Sequence, residues 1–183
     1  MDVIMKDWKK KRKAELRSKF RCAVCIVCML AVTPVTIFAD QLINPQVEDT
    51  YINEEYQQYC EAIGAKYNIC PELLEAMIEH ESGGDAYATG PDGDTGLMQV
   101  IPRWHSDRME KLGVTSLYDP YSNILVATDY LSDLFEQYGD IAMVLMEYNG
   151  SSDAEYRWQT GQFTDYANEI MDRSYELERA HGK

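Results

Sequence analysis

From residue 51 to the end of the chain, apolar side chains return at three- and four-residue intervals in one segment after another. No stretch alternates as a half-buried strand does. That pattern excludes sheet-based architectures and leaves a mainly α-helical domain. Residues 51–67 place Ile52, Tyr56, Tyr59 and Ile63 on one side, and Gly64 and Asn68 mark the turn beyond them. Pro71 suits the first turn of the next helix, where a missing N–H costs nothing. Residues 103–113 read as a short helix ended by Gly113. Residues 119–139 give the clearest stripe, Ile124, Ala127, Leu131, Leu134, Phe135 and Tyr138, ended by Gly139. Residues 140–150, capped by Asp140, and residues 164–182, capped by Thr164, complete the set.

The first fifty residues are different in kind. Residues 1–21 carry nine Lys or Arg and three acids, a net +6. The rest of the chain holds the other 8 basic and 28 acidic residues, a net −20. Directly after the basic head comes CAVCIVCMLAVTPVTIFA, residues 22–39, without a charge and just long enough to cross a bilayer as a helix. The basic flank should stay in the cytoplasm, so everything after Asp40 should face outside. Either a signal anchor or a signal peptide cut after Ala39 fits, and the long head favours the anchor, because Ile37 is a poor match to the small residue preferred before a cut. The expected organisation is a basic cytoplasmic segment (1–21), the anchor or signal peptide (22–39), a linker (40–50) and one domain (51–183) on the outer face of the membrane. A domain at −20 offers no basic footprint for nucleic acid. Three of the five cysteines lie in the apolar run, with no lipid-attachment pattern around them. The other two, Cys60 and Cys70, would either form a disulfide worth about 3 kcal/mol by loop entropy or remain two partly buried thiols.

The candidate for chemistry lies at the end of the helix that starts at Pro71. Leu73, Leu74, Met77 and Ile78 form its apolar face, and the next residue on that face is Glu81. Glu72, Glu75 and Glu79 fall on the opposite side, which should be wet. A carboxyl group on the dry face is desolvated and its pKa rises, as a general acid requires near neutral pH. Glu81 also faces a loop, SGGDAYATGPDGDTG, whose glycines let backbone approach a ligand closely. On the helix of residues 140–150, Ile141, Val144, Leu145 and Tyr148 share a face. A tyrosine there needs a partner for its hydroxyl, either backbone or the carboxyl group of Glu81.

Other chemistries find no support. In HESGGD the second histidine of a zinc-binding H-E-x-x-H is replaced by Asp85, and Gly83-Gly84 would break the helix that must present both ligands. There is no Ser-His-Asp nucleophile elbow and no phosphate-binding glycine loop. Neither a metal nor a cofactor is expected.

Taken in order, LLEAMIEHES, GLMQVIP, DPYSNI, YLSDLFEQYGD and YNG resemble the catalytic domain of lytic transglycosylases of the soluble (SLT) type, over about residues 50–175. The region GLMQV…RWH also looks like goose-type lysozymes of the same superfamily. The resemblance implies a lysozyme-like fold that cuts the peptidoglycan glycan strand between N-acetylmuramic acid and N-acetylglucosamine. It implies Glu81 as the sole catalytic carboxyl group, with Ser82 beside it, and Tyr148 orienting Glu81. It also implies Gly96, Leu97, Met98 and Gln99 along the sugar cleft, Asn149 next to Tyr148, and Asn123-Ile124 as a structural pair. Thr89 stands where the family usually has Ser. Asp94 and Glu147 replace alanines, and Gly150 comes straight after Asn149 without the usual intervening alanine.

The mechanism that the resemblance implies uses one carboxyl group, first as acid and then as base, and leaves a 1,6-anhydro end. Two rival readings stay open. A hydrolase would use Asp92 or Asp94 as a second carboxylate to activate water. A scaffold would bind peptidoglycan without cutting it. Small anchored domains of this type resemble accessory transglycosylases of conjugation and type IV secretion complexes; remodelling during growth fits equally.

Overall fold

The computed structural model describes residues 49–183. The basic head, the apolar run of residues 22–39 and nearly all of the linker lie outside the described residues. Among the described residues, no helix is long and apolar enough to cross a membrane.

Seven α-helices are described, in order: α1 (Glu54–Tyr67), α2 (Pro71–Ser82), α3 (Ser106–Leu112), α4 (Pro120–Tyr138), α5 (Ile141–Tyr148), α6 (Ala154–Thr160) and α7 (Asp165–Ala180). A 3-10 turn, Pro102–Trp104, precedes α3, so the expected helix over 103–113 is divided in two. The only strand-like pairings described are two isolated bridges, Thr89 with Thr95 and Thr95 with Val100. The boundaries obey local chemistry. Asn53, Asp119, Asp140 and Thr164 each accept a backbone N–H of the first turn of α1, α4, α5 and α7. Left-handed Gly83, Gly113, Gly139 and Gly161 end α2, α3, α4 and α6. α6 has no counterpart in the sequence pattern; it is seven residues long and only Ala154 of it is buried.

α2 is the centre of the packing. It lies against both α1 and α7; α4 packs on α1 and α5, and α5 on α6 and α7. Leu74, Met77, Ile78, Ile124, Leu131, Val144, Leu145, Met146 and Leu177 are fully excluded from solvent. Contact on two sides explains why the expected wet face of α2 is not wet. Glu72 is 0% and Glu75 2% exposed. The carboxylate of Glu79 is held by Arg173 of α7, at 2.6 Å from Nε. The periodicity locates the apolar face of α2 correctly, but a central helix has no free face.

These buried acids are handled in two ways. Glu72 accepts from the thiol of Cys70 (3.0 Å), from His181 Nδ1 (2.9 Å) and from Lys183 Nζ (2.5 Å). Burial alone would raise its pKa, but the donors from Cys70, Lys183 and His181 outweigh that and hold it at about 2. Glu75 has no such support. Its Oε2 is buried with no hydrogen-bond partner, and burial pushes its pKa up to about 7.

The disulfide alternative is not realised: Cys60 and Cys70 are both free thiols. Cys60 is fully enclosed on α1, and the sulfur of Cys70 is turned to Glu72. Burial raises both thiols, Cys70 to about 12, so neither is a ready thiolate.

Candidate functional site

The last turn of α2 delivers Glu81 to the wall of a cleft of about 360 Å³. The same cleft is lined by Asp92 and Asp94 from the glycine-rich loop, by Gln99, Val100 and Ile101, by Trp104 and His105 around the 3-10 turn, by Tyr130 of α4, and by Glu147–Gly150 at the end of α5. No Lys or Arg is among these residues.

Glu81 is partly buried, and burial is the main reason its pKa is raised. The nearby Asp94 charge pushes in the same direction, while a hydrogen bond from Tyr166 and the neighbouring His80 oppose it. Tyr166 Oη donates to Glu81 Oε1 at 2.5 Å. Its ring lies edge-on to His80, with centroids 4.9 Å apart. Among the described residues, no Lys or Arg forms an ion pair with Glu81.

Tyr148 does not make the bond to Glu81 that the resemblance implies. Its hydroxyl donates to the carbonyl of Met98 at 2.8 Å, the backbone option. It remains close enough for the Glu81 charge, after burial, to raise its own pKa well above the usual tyrosine value. The partner of Glu81 is Tyr166, which sits on the buried stripe of α7 with Ala167, Ile170, Met171, Ser174 and Leu177. The signal that marks Tyr148, a hydroxyl on an apolar face in need of a partner, is equally present on that stripe and would have found Tyr166.

The residues GLMQ divide between framework and cleft. Gly96 has φ +75°, and a Cβ there would meet the carbonyl of Leu117 and the amide of Asn123 at 2.4 Å each. Leu97 and Met98 are fully buried, so their side chains form the floor and not the lining. Asn123 holds this segment in place. Its Oδ1 accepts from the N–H of Met98 (2.8 Å), and its Nδ2 donates to the carbonyls of Thr95 (2.7 Å) and Leu117 (2.9 Å). Gln99 adopts a left-handed conformation, φ 47°, and its amide donates to the carbonyl of Gly96 at 2.8 Å. That conformation leaves Gln99 on the cleft wall.

Ser82 also belongs to the framework: its hydroxyl donates to the carbonyl of Leu97 at 2.8 Å and receives the N–H of Gly84. Thr89 is exposed, pairs with Thr95 through backbone, and is not among the cleft-lining residues. Of the residues singled out by sequence, the structure therefore brings Glu81, Gln99, Tyr148, Asn149, Asp92 and Asp94 together. It places Ser82, Gly96, Leu97 and Met98 behind them.

Four further lining residues fall in or beside the motifs quoted above but have no site role there. His105 rests on Tyr130 at 4.7 Å between centroids, and Tyr130 on Tyr148 at 5.6 Å. Burial first, and then the Arg108 charge, lower the pKa of His105 and favour its neutral form. Trp104 is 68% exposed at the rim, with the guanidinium of Arg103 over its ring. Glu147 lies beside Tyr138 and Tyr130 and, after burial, raises the pKa of both phenols.

Asp94 is the acid nearest in effect to Glu81. Its carboxylate accepts the N–H of Asp92 at 3.3 Å and lies against Gly90, where a Cβ would sit 2.2 Å from it.

This arrangement has relatives. The transglycosylase SLT domain family profile matches residues 58–171. The transglycosylase of Enterobacteria phage PRD1 is 36% identical over 98 residues, covering 52% of this chain and 36% of that protein. Membrane-bound lytic murein transglycosylase E of Buchnera aphidicola is 28% identical over 102 residues, 48% of this chain and 46% of its own length. The chain thus spans less than half the length of these relatives. The 70 kDa soluble lytic transglycosylase of Escherichia coli, solved alone and in complex with bulgecin A, superposes with a TM-score of 0.60 at 18% identity. That match covers 70% of this chain and 25% of the E. coli chain, and it shows a shared fold. With a family match over more than half its length, and with the helical fold and cleft that accompany it, the chain belongs to the transglycosylase SLT domain family.

Proposed function

We propose that this protein is a peptidoglycan lytic transglycosylase in which Glu81 acts as acid and then as base. The observation that carries the reading is the state of Glu81. It is a carboxyl group in a cleft without Lys or Arg, raised in pKa by burial, and fixed by a tyrosine hydroxyl. Such a group holds its proton longer as pH rises, which is what protonating a glycosidic oxygen demands.

In the first step the Glu81 proton passes to the bridging oxygen as its bond to C1 of the muramic acid breaks. The electron-poor C1 is stabilised by the sugar's own 2-acetamido group. In the second step the Glu81 carboxylate takes the proton of the C6 hydroxyl, and O6 closes on C1. The product is a 1,6-anhydro ring, Glu81 is protonated again, and no water is consumed. Gln99 and Asn149 supply hydrogen bonds to the sugars, and Trp104 at the rim offers a ring on which a pyranose can stack. Tyr148 and Tyr166 act as positioning residues, the first by fixing the cleft floor and the second by holding Glu81.

A hydrolytic reading has one observation in its favour: Asp94 shares the cleft and its charge reaches Glu81. Its carboxylate, however, already accepts the Asp92 N–H and packs against Gly90. The basic head and uncharged run of residues 1–39 support attachment at the outer face of the membrane, where relatives named membrane-bound also suggest an envelope site. There the enzyme would open or remodel the wall, for a conjugation or secretion complex among other uses.

Mass spectrometry of muropeptides released from purified peptidoglycan tests the reading. Anhydro-muramyl ends are expected from the parent, with Glu81→Gln reducing release by roughly a thousandfold or more. Reducing ends would make the protein a hydrolase and turn attention to Asp94. Binding to the wall with no release by the parent would make it a scaffold.

A further inference from the structure

Of the exposed tyrosines outside the cleft, two lie ring against ring. Tyr87 is 76% and Tyr118 43% exposed, and their rings are nearly parallel, 22° apart in plane with centroids 6.2 Å apart. They come from different parts of the chain, the glycine-rich loop and the approach to α4, and neither lines the cleft. Neither hydroxyl has a hydrogen-bond partner among the described residues. Tyr121, a short way along at the start of α4, is different. Its hydroxyl donates to Glu55, and its ring is packed against Tyr59 and Tyr56. Tyr121 is therefore committed within the fold, while Tyr87 and Tyr118 are not.

The backbone that carries both rings is anchored. The N–H of Tyr87 donates to Asp85 Oδ1, and that of Tyr118 to the hydroxyl of Ser116. The residue after Tyr87 is Ala88, whose carbonyl accepts from the N–H of Gly96 and from the amide of Gln99. The residue before Tyr118 is Leu117, whose carbonyl accepts from Asn123. Both tyrosines are therefore tied to the same buried segment that floors the cleft. Large, flat aromatic surface on an anchored backbone, with few rotatable bonds, costs little entropy to use in binding.

We propose that Tyr87 and Tyr118 form a second glycan-binding platform, outside the cleft, which holds a further stretch of the strand that the cleft cuts. The negative face of a phenol ring attracts the weakly positive axial C–H groups of a pyranose. The free hydroxyls can bond to the sugar's own hydroxyl or amide groups. The flanking Asp85 and Asp119, on a domain with net −20, disfavour an anionic occupant such as nucleic acid or an acidic lipid surface. An uncharged β-linked amino-sugar backbone meets each requirement. This rests on the reading of the cleft as a glycan-cutting site.

The test uses the whole protein carrying Glu81→Gln, so that the strand is bound but not cut. Sedimentation with purified sacculi and titration with chitohexaose would compare it with added Tyr87→Ala and Tyr118→Ala, and with the same pair changed to Phe. Thermal melting would confirm that all variants fold. The alanine pair should weaken binding to sacculi about tenfold, and the phenylalanine pair by less than about threefold. In the otherwise unaltered enzyme, the alanine pair should cut long strands more slowly and short soluble oligomers at the parent rate. Equal binding of sacculi by the alanine pair and its parent, with cutting intact, would overturn the platform and leave the function standing. Equal loss in the alanine and phenylalanine pairs would overturn ring stacking as its basis. If the parent neither binds nor cuts peptidoglycan, the reading of the cleft fails and the platform fails with it.

Discussion

Tyr166→Phe removes one oxygen and leaves the packing of α7 nearly intact. In the parent, the Tyr166 hydroxyl donates to Glu81 at 2.5 Å and stabilises the ionised carboxylate, opposing the effect of burial. A hydrogen bond to a charged group contributes about 1.5–3 kcal/mol, and about 1.36 kcal/mol corresponds to one pKa unit. Losing it should raise the pKa of Glu81 by roughly one to two units. The sign comes from the proposed mechanism. The first step needs Glu81 protonated, so activity falls as pH rises through its pKa, and a higher pKa moves that fall to higher pH. The assay is kcat/KM on purified peptidoglycan from about pH 4 to 9, with thermal melting to confirm the fold. The alkaline limb of the phenylalanine variant should lie about one unit or more above that of the parent, while its maximal rate drops because Glu81 is less well held. An alkaline limb that stays in place, or moves to lower pH, would refute Glu81 as the titrating acid or Tyr166 as its support.

Glu75→Gln should be more stabilising at about pH 8 than at about pH 4. The folded-state pKa of Glu75, about 7, exceeds the ordinary 4.5, so its penalty is absent at low pH, grows as pH rises, and is complete above the folded value. Allowing for partial screening, the difference between the two pH values should be about 2 kcal/mol, measured by urea unfolding at each. Gly96→Ala should cost about 4 kcal/mol or prevent folding, because the new Cβ meets backbone at 2.4 Å in a left-handed residue; soluble yield and melting temperature report it.

The helices are legible in the sequence because each apolar stripe packs against a neighbour, and most ends are marked by a capping Asp, Asn or Thr or by a left-handed glycine. The direction of Glu81 is legible for the same reason. What periodicity cannot say is how many neighbours a helix has. The pattern gives α2 one dry face, yet α7 and its C-terminal end cover the acids on the other side and satisfy two of them with residues 94 and 109 positions away. Tyr166 is marked in the sequence as a hydroxyl on an apolar stripe, but its partner is not: the bond to Glu81 joins residues 85 apart, and only the packing of α7 on α2 creates it. The family motifs locate the cleft but mix two populations. Gly96, Leu97 and Met98 stand with Gln99 in one motif, yet only Gln99 reaches the cavity. Trp104, His105, Tyr130 and Glu147 lie in or beside the family motifs, yet nothing local says that they face the cleft, because they come from turns and helices brought together by the fold.

The bond from Tyr148 to Met98 has a mechanical consequence. It joins the end of α5 to the segment that floors the cleft, so the two sides are braced against each other behind Glu81. If the cleft cuts glycan as proposed, such a braced gap behaves as a gauge: its width near the acid is set before any strand arrives. Strands that differ in girth, through bulky or missing side groups, must then be accommodated at the rim, where Trp104 and the tip of the loop at Asp92 and Gly93 stand exposed. Selection among strands would then act at the entrance, while the distance from the bond being cut to the proton donor stays constant.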